Sequence, residues 1–270
     1  YQAYNEGNKT LMWIDTHCHL DFEPLSNNIG NVLNQCEQNN IDSIIIPSVM
    51  PENLKKVVDL SKNHKDCFYA LGFHPLFINK LDDKDLEVLT SHIELSNPIA
   101  IGEIGLDLYL RKDNINKQEY FFSKQLLLAE KFDLPVILHV RSAIDLILKH
   151  LRRSKVRGGV AHAFNGSFQQ AEQFIQLGFK LGFGGAMTYP RAKHLKRLAK
   201  EISLEHIVLE TDAPNMIPFW SKDKDYNQPA EIAEIGKYFS ELRGMESLAI
   251  ADKIRKNTLK VFPKLAELYT

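Results

Sequence analysis

Short apolar runs rich in β-branched residues alternate along the chain with longer stretches whose apolar positions recur at helical spacing. Runs of the first kind suit strands covered on both faces, and stretches of the second kind suit helices with one buried stripe. Eight runs read as strands: 13–17, 43–49, 68–73, 99–104, 136–140, 159–163, 179–183 and 207–210. Helical spacing is clearest in "QEYFFSKQLLLAEKF", where Phe121, Leu128 and Phe132 repeat at intervals of seven and four. Eight such alternations predict a (β/α)8 TIM barrel rather than an open sheet. The count depends on accepting the short seventh run. After the eighth, "PAEIAEIGKYFSELRG" predicts the helix that closes the outer ring, and "ESLAIADKIRKNTLKVF" predicts one more beyond it.

From residue 12 to residue 270 there is no composition break, no linker and no repeat stronger than the strand–helix alternation, so this stretch reads as a single domain. Residues 1–11 are polar and aperiodic. They are expected to be a disordered leader or an expression-derived remnant ahead of a natural start at Met12.

Composition narrows the function classes. Lys and Arg total 33 against 34 Asp and Glu, so no overall basic excess points to wrapping of long duplex DNA, although a local patch stays open. No apolar run has the length of a membrane helix, and no secretory signal is visible. Cys18, Cys36 and Cys67 form neither a disulfide framework nor a C-x-x-C zinc motif. Reduced thiols in a cytoplasmic protein fit best, with no membrane partner and a monomer favoured.

The chemistry sits where the apolar runs end. "WIDTHCHLDF" places His17 and His19 two apart, so in an extended chain both face the same way. "IAIGEIGLD" carries Glu103, "PVILHV" carries His139, "GGVAHAF" carries His162 and "IVLETDAP" carries Asp212. Each has an ordinary explanation: a hydrogen-bonded core histidine, a solvated turn carboxylate, or a helix N-cap. Together they need a shared partner, because buried unpaired ionisable groups are costly. Strand ends converge at the C-terminal mouth of a barrel, where active sites are built. Four imidazoles and two carboxylates exceed the needs of one four-coordinate zinc and suit two divalent ions bridged by a carboxylate. The donor set, free of thiolate, accommodates Zn²⁺, Mn²⁺ or a similar ion such as Mg²⁺.

In order, "DTHCHLD", "GEIGLD", "PVILHVR", "AHAFNGS" and "LETDAP" resemble the TatD family of metal-dependent deoxyribonucleases in the amidohydrolase superfamily. "LGFHP", "GFGGAMTYPRA" and "YNQPAEIAEI" are most similar to its YjjV-like branch. The resemblance runs from about Met12 onward and implies the same barrel and metal site. It matches His17 and His19 to the first-strand ligands, Glu103 to the bridging carboxylate, His139 and His162 to ligands of the second ion, and Asp212 to the eighth-strand carboxylate. Tyr226 stands where many members carry Arg.

Other positions carry two readings each. His74, in "GFHP", either touches substrate or supports the site structurally. Arg141, two beyond His139, either clamps a phosphate oxygen or pairs with Asp107 or Glu210. Asp107 is expected to orient neighbours rather than bind metal. "RAKHLKRLAK" either guides a nucleic-acid backbone or is a solvated helix face, and Phe219 and Trp220 either stack on a base or pack their own loop.

The leading expectation is a deoxyribonuclease that hydrolyses phosphodiesters at single-stranded DNA ends, with the two ions activating water and with Glu103 and Asp212 as catalytic carboxylates. The same site also suits a carboxylic ester or amide hydrolase, for example an aminoacyl-tRNA deacylase. A barrel with purely structural metals is the remaining class. A lining rich in Arg and Lys favours phosphate, and an apolar one favours an acyl group.

Overall fold

The structure is a computed structural model that describes residues 11–269, so the expectation for residues 1–11 lies, apart from Leu11, outside the described residues. Eight strands follow one another: β1 (Trp13–Asp15), β2 (Ile41–Pro47), β3 (Cys67–Leu71), β4 (Ala100–Asp107), β5 (Val136–Arg141), β6 (Gly159–Ala161), β7 (Phe179–Phe183) and β8 (Ile207–Leu209). They form one parallel sheet in sequence order. Eight helices alternate with them: α1 (Ile29–Gln38), α2 (Pro51–Asn63), α3 (Asp83–Ser96), α4 (Ile115–Lys131), α5 (Ile144–Leu151), α6 (Phe168–Gln176), α7 (Lys193–Glu201) and α8 (Ile232–Arg243). Beyond the ring lie α9 (Ser247–Val261) and the one-turn α10 (Pro263–Ala266). The architecture is the TIM barrel expected from the alternation, and the short seventh run is a strand over the expected residues. Among the described residues no helix is long and apolar enough to cross a membrane.

The barrel is nearly closed. Between β8 and β1 individual bonds replace a continuous ladder. The Thr16 amide donates to the Leu209 carbonyl at 3.2 Å, the Asp212 amide to His17 at 2.8 Å, and the His19 amide to Ala213 at 2.8 Å. The buried Asp15 carboxylate spans the same seam, accepting from the Thr211 amide at 2.9 Å and its hydroxyl at 2.5 Å. These bonds tie the segment carrying His17 and His19 to the one carrying Asp212.

Apolar side chains form two separate cores. The larger lies between sheet and helices. There Gly236 of α8 lets the Trp13 ring pack against bare backbone, since a Cβ would fall 2.3 Å from that ring. The smaller fills the lumen with Ile14, Ile45, Ala70, Ala100, Ile137, Val160 and Val208, joined by Val261, Phe262 and Leu265 from the C-terminal segment. That segment closes the N-terminal end of the barrel, where Arg255 pairs with Asp42 at 2.6 Å and Tyr269 bonds Ser43. Strand alternation then dictates the other end. Residues two beyond a lumen residue share its face, so Ile137 is followed by His139, Val160 by His162 and Val208 by Glu210.

Candidate active site

At the C-terminal mouth the six predicted ligands converge. His17 Nε2 and His19 Nε2 lie 3.2 Å apart. Glu103 Oε2 is 3.3 and 3.4 Å from them, and Asp212 Oδ1 is 3.7 and 3.6 Å from them. The other Glu103 oxygen turns away to a second group, with Oε1 2.9 Å from His139 Nδ1 and 3.5 Å from His74 Nε2. His162 stacks on His17, ring centroids 3.7 Å apart, with its Nε2 3.8 Å from Asp212 Oδ1. Glu103 therefore stands between two clusters of nitrogen and oxygen donors. Its side chain is 3% exposed and that of His17 is 0% exposed, so water does not solvate the charge.

The structure places His162 beside His17 and Asp212, and His74 beside His139. In the sequence-based assignment His139 and His162 share the second ion and His74 is a substrate contact. Donor atoms of His17, Glu103 and His162 form one potential ligand triplet, and those of His74, Glu103 and His139 form another.

Buried acids brace the histidines from behind. His139 Nε2 is 3.1 Å from Asp107 Oδ2, while Asp107 Oδ1 accepts the amides of Tyr109 and Leu110 at 3.0 and 2.8 Å. His162 Nδ1 is 3.0 Å from Glu210 Oε1, which also accepts the Ala163 amide at 2.6 Å. Such carboxylate–histidine pairs fix ring orientation and raise ligand basicity. Burial pushes the Glu103 carboxyl up, but His74, His17 and His139 outweigh it and hold the group well below the usual carboxylate range. Burial opposes charge on His162 too, yet Glu210 and Asp212 bring it up to about 10. Burial and the neighbouring His162 lower His17.

Divalent cations fit this arrangement. Imidazole nitrogens and carboxylate oxygens lie close together in a buried cluster, and among the described residues the ion-pair partners of Glu103, Asp107, Glu210 and Asp212 are histidines, not Lys or Arg. Oxygen and nitrogen donors without thiolate suit Mg²⁺, Mn²⁺ or Zn²⁺.

The cluster floors a cleft of about 1300 Å³. Arg141 lines it and stacks on the Tyr109 ring at 4.4 Å, with no carboxylate partner among the described residues. Asp107 and Glu210, the partners considered for it from sequence, brace His139 and His162 instead. Trp220 donates to Glu231 at 2.7 Å and Phe219 packs on Tyr189, so both aromatics hold their own loop. The basic stretch after β7 begins α7, where Arg197 pairs with Glu201 at 3.0 Å.

Three contributors were not singled out from sequence. Asp15 closes the β1–β8 seam. Asp21, two residues beyond His19, is buried and accepts from Asn53 Nδ2 at 2.6 Å. Gly182 makes room for Glu210, since a Cβ there would meet Glu210 Oε2 at 2.3 Å. Their signals were an acid two residues from a ligand histidine and a glycine on an inward strand position.

A family model described as TatD related DNase matches residues 14–263. An uncharacterized metal-dependent hydrolase of Escherichia coli K12, YjjV, is 40% identical over 253 residues, covering 93% of this chain and 97% of that protein. A second uncharacterized metal-dependent hydrolase, from Haemophilus influenzae, is 34% identical and covers 93% of this chain and all of its own length. The crystal structure of YjjV, a TatD homologue from E. coli K12, superposes with a TM-score of 0.87 at 38% identity, over 93% of this chain and 98% of that one. By sequence over nearly its full length and by fold, the chain belongs to the TatD family of metal-dependent hydrolases.

Proposed function

We propose that the protein is a deoxyribonuclease that hydrolyses the terminal phosphodiester of single-stranded DNA. The observation that carries this reading is the placement of Glu103, whose two oxygens face separate donor groups, His17–His19–Asp212 and His139–His74. Such a layout supports a two-ion site, which suits in-line displacement at phosphorus.

His17, His19, His162, Glu103 and Asp212 would hold one divalent ion, and Glu103 and His139 would supply ligands to the second. When bound, such ions lower the pKa of water and offset charge on a phosphoryl oxygen. The chain's own groups do the rest. Asp212 sits at the cleft surface, 9% exposed, and takes the proton released by the attacking water. Asp107 and Glu210 keep the His139 and His162 rings aimed at the centre. Arg141 reaches a non-bridging phosphate oxygen from the cleft wall. A net charge of −1 and a cleft floored by the cluster suit end trimming better than duplex wrapping.

One observation favours a second reading, hydrolysis of a carboxylic ester or amide. Arg141 is the lone Lys or Arg lining the cleft among the described residues, while Phe22, Leu76, Phe77, Leu108 and Met187 give it apolar walls. The deciding experiment assays protein reconstituted with Mn²⁺, Mg²⁺ or Zn²⁺ against end-labelled single-stranded DNA, RNA, aminoacyl-tRNA and simple esters in parallel. Shortening of DNA from an end at the highest kcat/KM is expected. Faster turnover of an ester makes the second reading the correct one.

A further inference from the structure

Five histidines at the mouth differ in what stands behind the ring. His139 and His162 each have a carboxylate there, at 3.1 and 3.0 Å. At His139 the carboxylate accepts, so the rear nitrogen carries the proton and the front nitrogen keeps a lone pair for a cation, while His162 Nδ1 stands at ion-pair distance from Glu210 without a hydrogen bond. His17 and His19 have no hydrogen-bond partner at buried Nδ1 among the described residues, which leaves Nε2 equally free to present its lone pair.

His74 is the opposite case. Its Nδ1 accepts the backbone amide of Leu76 at 3.1 Å. Pro75 has no N–H to offer, so Leu76 supplies the first amide after the histidine, and the turn is set by Phe77 N donating to the His74 carbonyl at 2.9 Å. An amide N–H can only donate. Nδ1 must therefore be the unprotonated nitrogen, and the ring's proton lies on Nε2. That Nε2 is the atom facing the cluster, 3.5 Å from Glu103 Oε1, and the ring is buried against His139 with centroids 4.1 Å apart. To ligate a cation through Nε2 while accepting at Nδ1, the ring would have to become an imidazolate.

We propose that His74 is a neutral hydrogen-bond donor to substrate through Nε2–H, and not a third ligand of the second donor group. It would donate to the phosphoryl or carbonyl oxygen lying beside Glu103 Oε1, where negative charge grows as the nucleophile adds. The proton stays on Nε2 throughout, so no transfer is required. This assignment rests on the two-ion reading of the site and holds for a phosphoester or an acyl substrate alike.

Two of the tests that decide it use no substrate. In the metal-loaded wild-type protein, ¹⁵N–¹H correlation spectra of the imidazoles should show His74 protonated at Nε2. His74→Gln keeps an N–H donor at that end, and His74→Ala removes it. Elemental analysis after dialysis should give wild-type metal content for both variants, with Mn²⁺ affinity within about threefold. On whichever substrate the enzyme hydrolyses, Ala should lower kcat by on the order of 10²-fold and Gln should recover part of that loss, with KM nearly constant. Loss of an ion in both variants, or an unprotonated His74 Nε2 in the loaded wild type, overturns the proposal. So does a normally loaded Ala variant with wild-type kcat. A failure to cut DNA alone bears only on the substrate reading.

Discussion

The two ends of the barrel are built from the same strands and obey opposite rules. At the N-terminal end, Ile14, Ile45, Ile137, Val160 and Val208 meet Val261, Phe262 and Leu265 in a dry apolar plug. Two residues further along β5, and just past the ends of β6 and β8, the same face presents His139, His162 and Glu210. Each inward row thus changes from hydrocarbon to ligand over one step of pleat, about 7 Å. The difference teaches where stability and function reside. The plug contributes burial free energy and asks nothing of geometry finer than packing. The mouth gathers histidines and carboxylates whose placement makes sense only with cations among them, and it depends on the plug for rigidity.

The strongest way to break the contrast is at Glu103, the carboxylate shared by both donor groups. Glu103→Gln keeps the volume and loses the charge and one oxygen donor. Hydrolysis should fall by on the order of 10³-fold. Metal content should drop, while circular dichroism and the lumen plug stay unchanged. A variant with full metal content and near-normal turnover would mean that the two groups do not share this residue.

The converse change is Phe262→Ala, which empties a fully buried position in the plug. Large-to-small substitutions of this kind cost about 3–5 kcal/mol. That corresponds to a melting temperature lower by roughly 10 °C for a chain of this size. Turnover per folded, metal-loaded molecule should remain near wild type, measured well below the new transition. A kcat that falls in step with stability would show the two ends to be coupled rather than separate.

Chelation tests the same division without mutation. Ions that bind the folded mouth stabilise it by RT ln(1 + [L]/Kd), about 2.7 kcal/mol at a hundredfold excess over Kd. Removing them should lower the melting temperature by several degrees. Amide exchange should speed up around residues 15–19, 103–110 and 210–216, and stay slow at Val160, Val208 and Phe262. Uniform acceleration across the barrel would contradict a locally held metal site.

Gly182→Ala probes the contact between a bare strand position and the acid behind His162. The added Cβ would lie 2.3 Å from Glu210 Oε2, so the carboxylate must move and the His162 ring loses its brace. Loss of such a supporting group costs about 10–100-fold in metal affinity. Titration with Mn²⁺ or Zn²⁺ after chelation measures it, and an unchanged affinity would remove Glu210 from the site.

Most of this contrast was legible in the sequence, because both halves of it follow from period-two alternation. The apolar runs marked the strands, and histidine or acid at the end of several of them marked the mouth. The strand limits shifted where ligands are placed. Run 13–17 is a ladder strand only to Asp15, since the chain beyond it bonds alternately to both neighbours, Thr16 to Leu209, Cys18 to Ile45 of β2 and His19 to Ala213. What stayed hidden is what the seam and the turns decide. Asp15 reads as one more acid until Thr211, 196 positions later, is brought against it. The pairing of Glu210 with His162 and of Asp107 with His139 needs the inter-strand register, which single-strand patterns do not contain. The tautomer of His74 depends on one backbone amide whose direction only the folded turn defines.

The smallest expected effect belongs to Arg141, and it separates phosphate from acyl chemistry at the rim of the mouth. The residue ends β5 on the His139 face, but it is exposed, and its guanidinium lies over Tyr109 instead of reaching a carboxylate. An exposed cation is partly screened by water and salt. Its pull on a phosphate is therefore modest beside that of ions in the dry cluster. A phosphodiester carries a full negative charge and a neutral ester carries none, so only the former should notice its loss. Arg141→Ala should lower kcat/KM on a DNA end by about tenfold, mainly through KM, with Arg141→Lys intermediate because it keeps charge and loses the fork. The deficit should shrink as salt rises, and ester turnover should stay flat. Because the stacked Tyr109 also loses a neighbour, Tyr109→Ala serves as the control: if it reproduces the whole defect with Arg141 intact, the arginine acts by holding the loop rather than by meeting phosphate. Equal losses on DNA and on a neutral ester would likewise remove charge recognition from the role of Arg141.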